Sequence, residues 1–439
     1  MTIYVALIIA SGILFVIFFH SFFSKPEIAL YLAFPALLFI PYEFRLPIPV
    51  IGSVFGLLLL YSMIVWLLSV RQRGQRIPPT RFGAALWLFV IILLAYGILG
   101  WGDPEAAQFR AKFYILGLWS LVLPLLIINT PLKARWLIIT AYGTLLAVAI
   151  TVGYTMIIHG PSIQYSDSRL VQMRYLAQQE YGGSFVNYLV LTAIAITFPV
   201  HLSLFLDIHI RRTTRLLFLL ISVFMVFVIL ASSYTSPIVT LLIGVGFLLF
   251  FKIRRPNQLS HFFPILPFIA VGVLIFTMLH LFPGLLSSFD RLLNLQTDAS
   301  GAYRSESMIQ GVLAFFESPL IGHGAYNTIV VTRGGNMLGG HNSYIVAAYE
   351  FGLIFLLPLV YIILKIVQQF HRLMNRTKDR TIEHSIVQGM FAGVLAALAT
   401  GFFTPVLGNL AQDSYFWLSV GLMSIWNYWL DENPDARLI

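Results

Sequence analysis

The chain contains no cysteine in 439 residues, and only 10% of its residues carry charge. The first absence excludes disulfides, thiolate metal ligands and cysteine nucleophiles, without fixing a compartment. The second excludes an ordinary soluble domain, which carries charge on roughly a quarter of its residues. Metal-ligand spacings of the His-Glu-x-x-His kind are missing, and so is a Gly-x-Ser-x-Gly nucleophile elbow. Gly322-His323-Gly324 marks a tight turn where backbone comes close to something. No Lys-Ser/Thr follows to make it a nucleotide loop. Ionisable residues inside the apolar runs are few, which argues against an ion-coupled transporter.

What is present is overwhelmingly apolar, at 59% of the residues. Runs of about twenty such residues are long enough to cross the roughly 30 Å hydrocarbon layer as helices. They lack the alternation of a membrane barrel, so helices are the remaining way to satisfy the backbone in lipid. The pattern predicts helices near 3–23, 28–40, 48–70, 82–101, 112–129, 134–158, 186–206, 214–231, 235–251, 262–282, 344–370, 386–404 and 414–430. The second is short and holds Pro35, as a half-helix or hairpin arm would. The expected fold is all-α: a polytopic membrane protein of 12–13 transmembrane helices, one domain over residues 1–439. Met1 to Phe23 reads as a first membrane segment, not a cleavable signal, because it lacks a basic start.

The net charge of +9 follows from lysines and arginines gathered on alternate loops, not from a nucleic-acid surface; no nucleic-acid partner is expected. Arg71, Arg73, Arg76 and Arg81 mark one such loop, and Lys133 with Arg135 a second. Arg211, Arg212 and Arg215, then Lys252, Arg254 and Arg255, then Arg372, Arg376, Lys378 and Arg380 mark three more. By the positive-inside rule these are cytoplasmic. The opposite side, periplasmic in a Gram-negative cell, then receives 102–111, 159–185, 232–234, 283–343 and 405–413. The two long polar loops, 159–185 and 283–343, share that side.

Those two loops hold the candidates for chemistry. Arg169 and Arg174 lie in the first with Asp167 and Glu180; Arg291, Arg304 and Arg333 lie in the second with Glu306. They are arginines, whose planar guanidinium grips phosphate with two parallel hydrogen bonds and stays charged. Singly, each also suits a headgroup anchor or an acidic neighbour. His341 follows Gly339-Gly340 and precedes the helix near Tyr344, with Asn342 or Ser343 as its N-cap. Free amides there would favour an anion. The imidazole suits a base or a phosphate donor near neutral pH; the alternative is a bond to loop backbone. From Arg304 to Phe316 the pattern is amphipathic, with Met308, Val312, Leu313, Phe315 and Phe316 against Arg304, Glu306 and Gln310. It fits a helix at the membrane interface or one packed on the bundle.

Three stretches resemble the O-antigen ligase and polymerase superfamily of bacterial envelope glycosyltransferases. Arg304, an amphipathic stretch and Glu317-Ser318-Pro319-Leu320-Ile321-Gly322-His323-Gly324-Ala325-Tyr326-Asn327 are similar to the family's Arg, apolar helix and Pro-apolar-apolar-Gly-x-Gly. His341-Asn342-Ser343-Tyr344, followed by Tyr349-Glu350-Phe351-Gly352-Leu353, resembles its His-Asn run before a Glu-x-Gly helix. Arg174, Gly182-Gly183 and Asn187 form a weaker third match. Many members also carry a Ser-Arg pair where this chain has Ser232-Ser233-Tyr234-Thr235-Ser236-Pro237, without an arginine.

The resemblance implies transfer of a glycan from undecaprenyl diphosphate to an acceptor hydroxyl at the periplasmic face of the bacterial inner membrane, with no metal or other cofactor. It implies His341, Arg174 and Arg304 as catalytic residues. Arg169, Arg291, Arg333, Glu306, Glu180, Asn187, Asn342 and Tyr344 are the implied substrate-binding residues. The implied partners are a lipid-linked glycan donor, a glycan or lipid A–core acceptor, the lipid bilayer and other proteins of envelope polysaccharide assembly. A polymerase is favoured slightly over a ligase because the Ser-Arg arginine is missing. A flippase for lipid-linked sugar is the alternative of a different class, and a non-catalytic envelope scaffold a third.

Overall fold

The computed structural model describes residues 25–39, 54–73, 83–102, 104–159, 188–231, 235–253, 299–324, 329–330, 337–338, 342–403 and 410–438. Within them the protein is all-α apart from two paired dipeptides. In chain order the helices are α1 Pro26–Phe39, α2 Val54–Arg73, α3 Gly83–Leu99, α4 Pro104–Ile127, α5 Pro131–His159 and α6 Tyr188–Phe205. They continue with α7 Arg212–Ala231, α8 Thr235–Ile253, α9 Ala299–Glu317, α10 Ser343–Arg376, α11 Thr381–Thr400 and α12 Leu410–Glu432. Between α9 and α10, β1 Ile329–Val330 pairs antiparallel with β2 Met337–Leu338, Ile329 opposite Leu338. The expected helices at 3–23 and 262–282 lie outside the described residues.

Among the described residues, four helices are long and apolar enough to span a membrane, at Pro131–Tyr154, Arg212–Leu230, Ser343–Arg376 and Ile382–Thr400; six more are apolar over shorter lengths. This is a multi-pass α-helical membrane protein. Its centre is α6 and α12. Val190 to Phe205 is almost wholly buried, and α12 buries Tyr415, Phe416, Trp417 and Trp426. α6 packs against α7, α8, α11 and α12, and α12 lies along α4.

With little hydrophobic force between helices in lipid, close packing of small residues takes over. Gly389 and Gly393 of α11 provide it four residues apart: a Cβ on Gly389 would lie 2.4 Å from the Val200 Cα, and one on Gly393 2.0 Å from the Ile196 carbonyl oxygen. α12 meets α4 in the same way, through Gly421 against Leu121 and Asp413 against Gly117.

Helix boundaries depart from the apolar runs where polar residues still favour helix. α4 begins at Pro104, eight residues before its apolar run, because proline suits the first helical position. The expected 102–111 loop is therefore mostly helix. α10 runs on through His371, Arg372 and Asn375 to Arg376, leaving only four residues before α11 starts at Thr381.

The ends of the bundle sort as the charges predict. Lys252 Nζ reaches Ser385 Oγ (3.4 Å), whose hydroxyl donates to Asp207 Oδ2 (2.9 Å), joining the ends of α8 and α6 to the start of α11. Arg372 and Arg376 meet Asp431 at 2.7 and 2.6 Å. Arg380 donates to the carbonyls of Pro434 and Ala436 and to Glu383. The basic loops after α6, α8 and α10 thus share one face. At the other face, the C-terminus of α11 meets the starts of α8 and α10: Thr240 and Thr400 hydroxyls lie 2.9 Å apart, and Ser343 N donates to Gly401 O at 2.8 Å.

Candidate active site

Asn342 is the N-cap of α10. Its backbone is extended (φ −123°, ψ 117°), and its Oδ1 accepts from Tyr344 N at 2.9 Å and Ile345 N at 3.0 Å. Its Nδ2 donates to the Phe402 carbonyl at 3.0 Å. One buried amide therefore ends α10 and ties it to α11.

That arrangement corrects one expectation. Ser343 N is used by Gly401 O, Tyr344 and Ile345 N by Asn342 Oδ1, and Val346 N by Asn342 O. The first turn of α10 thus has no free amides with which to cradle an anion, so any anion bound here must be held by side chains. Tyr344, expected to touch substrate, donates its hydroxyl to the Leu398 carbonyl (2.6 Å) and packs its ring on Phe402 at 4.6 Å. Its role in this structure is to fasten the helix start.

α9 carries Arg304 and Glu306. Ser307 and Gly311 are buried. The Arg304 side chain is outside the described set. Glu306 is half-buried and makes no hydrogen bond or ion pair among the described residues. The exposed stripe is apolar: Ile309, Val312, Leu313 and Phe316, followed by Leu320 and Ile321. It differs from the expected stripe in that Met308 and Phe315 are half-buried and Ile309 is exposed. An amphipathic helix that turns its apolar side away from the protein has the form of an interfacial helix.

The turn after α9 is locked into a break in α10. Gly352 interrupts that helix at φ 69°, ψ −169°, a conformation essentially confined to glycine. A break leaves carbonyls unpaired on one side and amides on the other. Here the turn supplies both partners. His323 N donates to Tyr349 O (2.7 Å) and Gly324 N to Glu350 O (2.9 Å), while Leu353 N donates to Pro319 O (2.8 Å) and Ile354 N to Leu320 O (3.2 Å). The glycines permit the approach: a Cβ on Gly322 would fall 2.5 Å from Glu350 O, and one on Gly352 2.4 Å from Leu320 O.

α3 closes the third side of this junction. The Tyr96 hydroxyl lies against both Ile321 O and Phe351 O, 3.1 Å from the latter. Trp101 Nε1 donates to Gly322 O at 3.4 Å, and the Trp101 carbonyl leaves no room for a Cβ on Gly324. His323 is structural, its Nε2–H donating to Ala314 O at 2.6 Å. Glu350 is fully buried beside the break.

Residues 220–360 match the O-antigen ligase family. That segment is similar to the O-antigen ligase family. It spans α7 to the middle of α10 and therefore contains α9, the glycine turn, Asn342 and the break at Gly352. No curated protein matches the chain.

Of the expected site residues, the structure brings the helix of Arg304 against the helix that follows His341 and Asn342. His341, Arg169, Arg174, Glu180, Asn187, Arg291 and Arg333 lie outside the described residues. The sequence reading missed Tyr96 and Trp101, which sit in α3 and its end, far upstream of the matched segment. Nothing in an apolar run distinguishes a tyrosine that binds two carbonyls from one that faces lipid.

Proposed function

We propose that the protein transfers a glycan from undecaprenyl diphosphate to an acceptor hydroxyl, without a metal, at the face where α10 begins, which is the periplasmic face of the inner membrane in this reading. The acceptor oxygen forms a bond to the anomeric carbon while the bond from that carbon to the diphosphate breaks. The hydroxyl proton passes to a base, and the diphosphate leaves with its negative charge. The demand on the protein is to neutralise charge growing on the leaving phosphate, which fixed cations do best in a poorly hydrated site.

In this reading Arg174 and Arg304 hold the diphosphate, with Arg169, Arg291 and Arg333 beside them. His341 takes the acceptor proton or donates to phosphate, and Glu306 and Glu180 are the secondary choices of base. Asn342, the residue after His341 in sequence, is fixed to both α10 and α11. Asn187 contributes to the substrate pocket.

The observation that carries the proposal is the lock between the turn after α9 and the break in α10, inside a segment similar to the O-antigen ligase family. It ties an arginine-bearing helix to the helix whose first turn follows the histidine. The polymerase reading, in which the acceptor is another lipid-linked glycan, is favoured by the missing arginine in Ser232 to Pro237. The ligase reading, with lipid A–core as acceptor, is favoured by the description of the matched family.

The test is protein in proteoliposomes with labelled lipid-linked donor and each acceptor in turn. A ladder of lengthened glycans indicates a polymerase; a single transfer to lipid A–core indicates a ligase. His341→Ala and Arg174→Ala are expected to lower transfer by about 100-fold or more. Transfer near the wild-type rate in both variants, or movement of donor across the bilayer with its mass unchanged, would overturn the proposal.

A further inference from the structure

We infer that Tyr96 is a positioning residue for transfer, acting through a latch that holds the helix of Arg304 in register with the helix that follows His341. The inference rests on the roles given to those two residues above. The junction has two halves. One is the Pro319–Gly324 turn, rigidly continuous with α9 because Gly322 N donates to Ser318 O (3.0 Å), Ser318 Oγ to Gly322 O (2.9 Å) and His323 Nε2 to Ala314 O. The other is the break at Gly352, the tenth residue of the helix that starts at Ser343.

Four backbone hydrogen bonds cross between the halves. Each joins one turn residue to one break residue. The Tyr96 hydroxyl differs, since its single proton is shared between Ile321 O of the turn and Phe351 O of the break. It comes from α3, which packs along α10, with the Tyr96 ring edge-on to Phe351 at 5.0 Å and the Phe89 ring 4.4 Å from Phe355. The hydroxyl thus pins both halves to a third helix and stops them pivoting about the backbone bonds.

Removing that oxygen leaves the four direct bonds and the ring packing, so the fold persists. It also takes the hydroxyl proton away from the buried Phe351 carbonyl and the part-buried Ile321 carbonyl. The half of α10 that follows His341 and the helix of Arg304 can then tilt against each other. Misplacement of reacting groups by about 1 Å is enough to cost roughly 100-fold in rate.

The absence of native cysteine makes the measurement direct. Spin labels on cysteines introduced at exposed Ile309 of α9 and half-buried Ala348, in the half of α10 that follows His341, report the distance between those two elements in the full-length protein in lipid. With Tyr96 in place, one narrow distance is expected. Tyr96→Phe is expected to broaden it and to lower kcat for glycan transfer by about 10- to 100-fold, with little change in KM for the donor. Ser318→Ala, which loosens the turn itself, is the second variant and should act in the same direction with smaller size.

A narrow distance with normal kcat in both variants would overturn the latch. A lowered kcat with an unchanged distance would show that Tyr96 touches substrate, which also overturns a positioning role. If His341→Ala and Arg304→Ala abolish transfer while Tyr96→Phe broadens the distance without slowing it, the latch inference alone fails. If His341→Ala transfers normally, the underlying site reading fails instead.

Discussion

Asn342 shows how much one buried amide side chain can decide. It caps α10 with its oxygen and reaches α11 with its nitrogen. Asn342→Ala is expected to cost about 1 to 2 kcal/mol, the upper end of the range for N-caps, measured by denaturation in detergent micelles. Asn342→Asp keeps an acceptor for the two amides but sets a carboxylate oxygen against the Phe402 carbonyl. It should therefore lose transfer while losing less of the helix than alanine does. Gly352 is the other decisive residue. Alanine there would be forced into a glycine-only conformation, with its Cβ against Leu320 O. We expect Gly352→Ala to destabilise by more than the roughly 1 to 3 kcal/mol of backbone strain alone, because the close contact adds to it.

At the scale of elements, the helices themselves were legible because twenty-residue apolar runs have few other solutions in lipid. Their ends were not, because polar residues such as His371, Arg372 and Asn375 can continue a helix that the backbone has already begun. Of the candidate site, the close-approach turn at Gly322 to Gly324 could be read directly, and the cap could be narrowed to Asn342 or Ser343. The partner of that turn could not, since the contact is made by main-chain atoms on either side of a break hidden inside a 34-residue helix. The face of α9 was partly legible: the sequence showed a stripe, but only the structure showed it turned outward. A fluorophore on a cysteine introduced at Phe316 should be quenched by lipid-borne quenchers, whereas one introduced at buried Ser307 should not. Equal quenching at both would remove the interfacial assignment. The contact between α6 and α11 predicts a further effect. Gly393→Ala should separate the two helices and lower stability, since its Cβ would sit 2.0 Å from the Ile196 carbonyl oxygen.

At the scale of the whole molecule, the two faces are held by different means. The basic face relies on side-chain pairs. Arg372, Arg376 and Asp431 are about a third exposed, at 31%, 29% and 37%. Ion pairs so open to water contribute about 0 to 1 kcal/mol, so Asp431→Ala is expected to change stability by less than about 1 kcal/mol. The opposite face relies on main-chain bonds between the turn after α9 and the break in α10 and on uncharged side chains of α3, α10 and α11, which no substitution of a charged residue removes.

The segment similar to the O-antigen ligase family runs from residue 220 to 360, so the tyrosine and tryptophan that steady its turn are supplied from elsewhere in the chain. It follows that exchanging only that segment between two such proteins would graft a turn onto a foreign third helix. Chimeras built at those borders should insert into membranes yet work poorly. Hybrids that also carry residues 83–102 from the same parent should recover, which gives protein engineers a minimum unit of exchange.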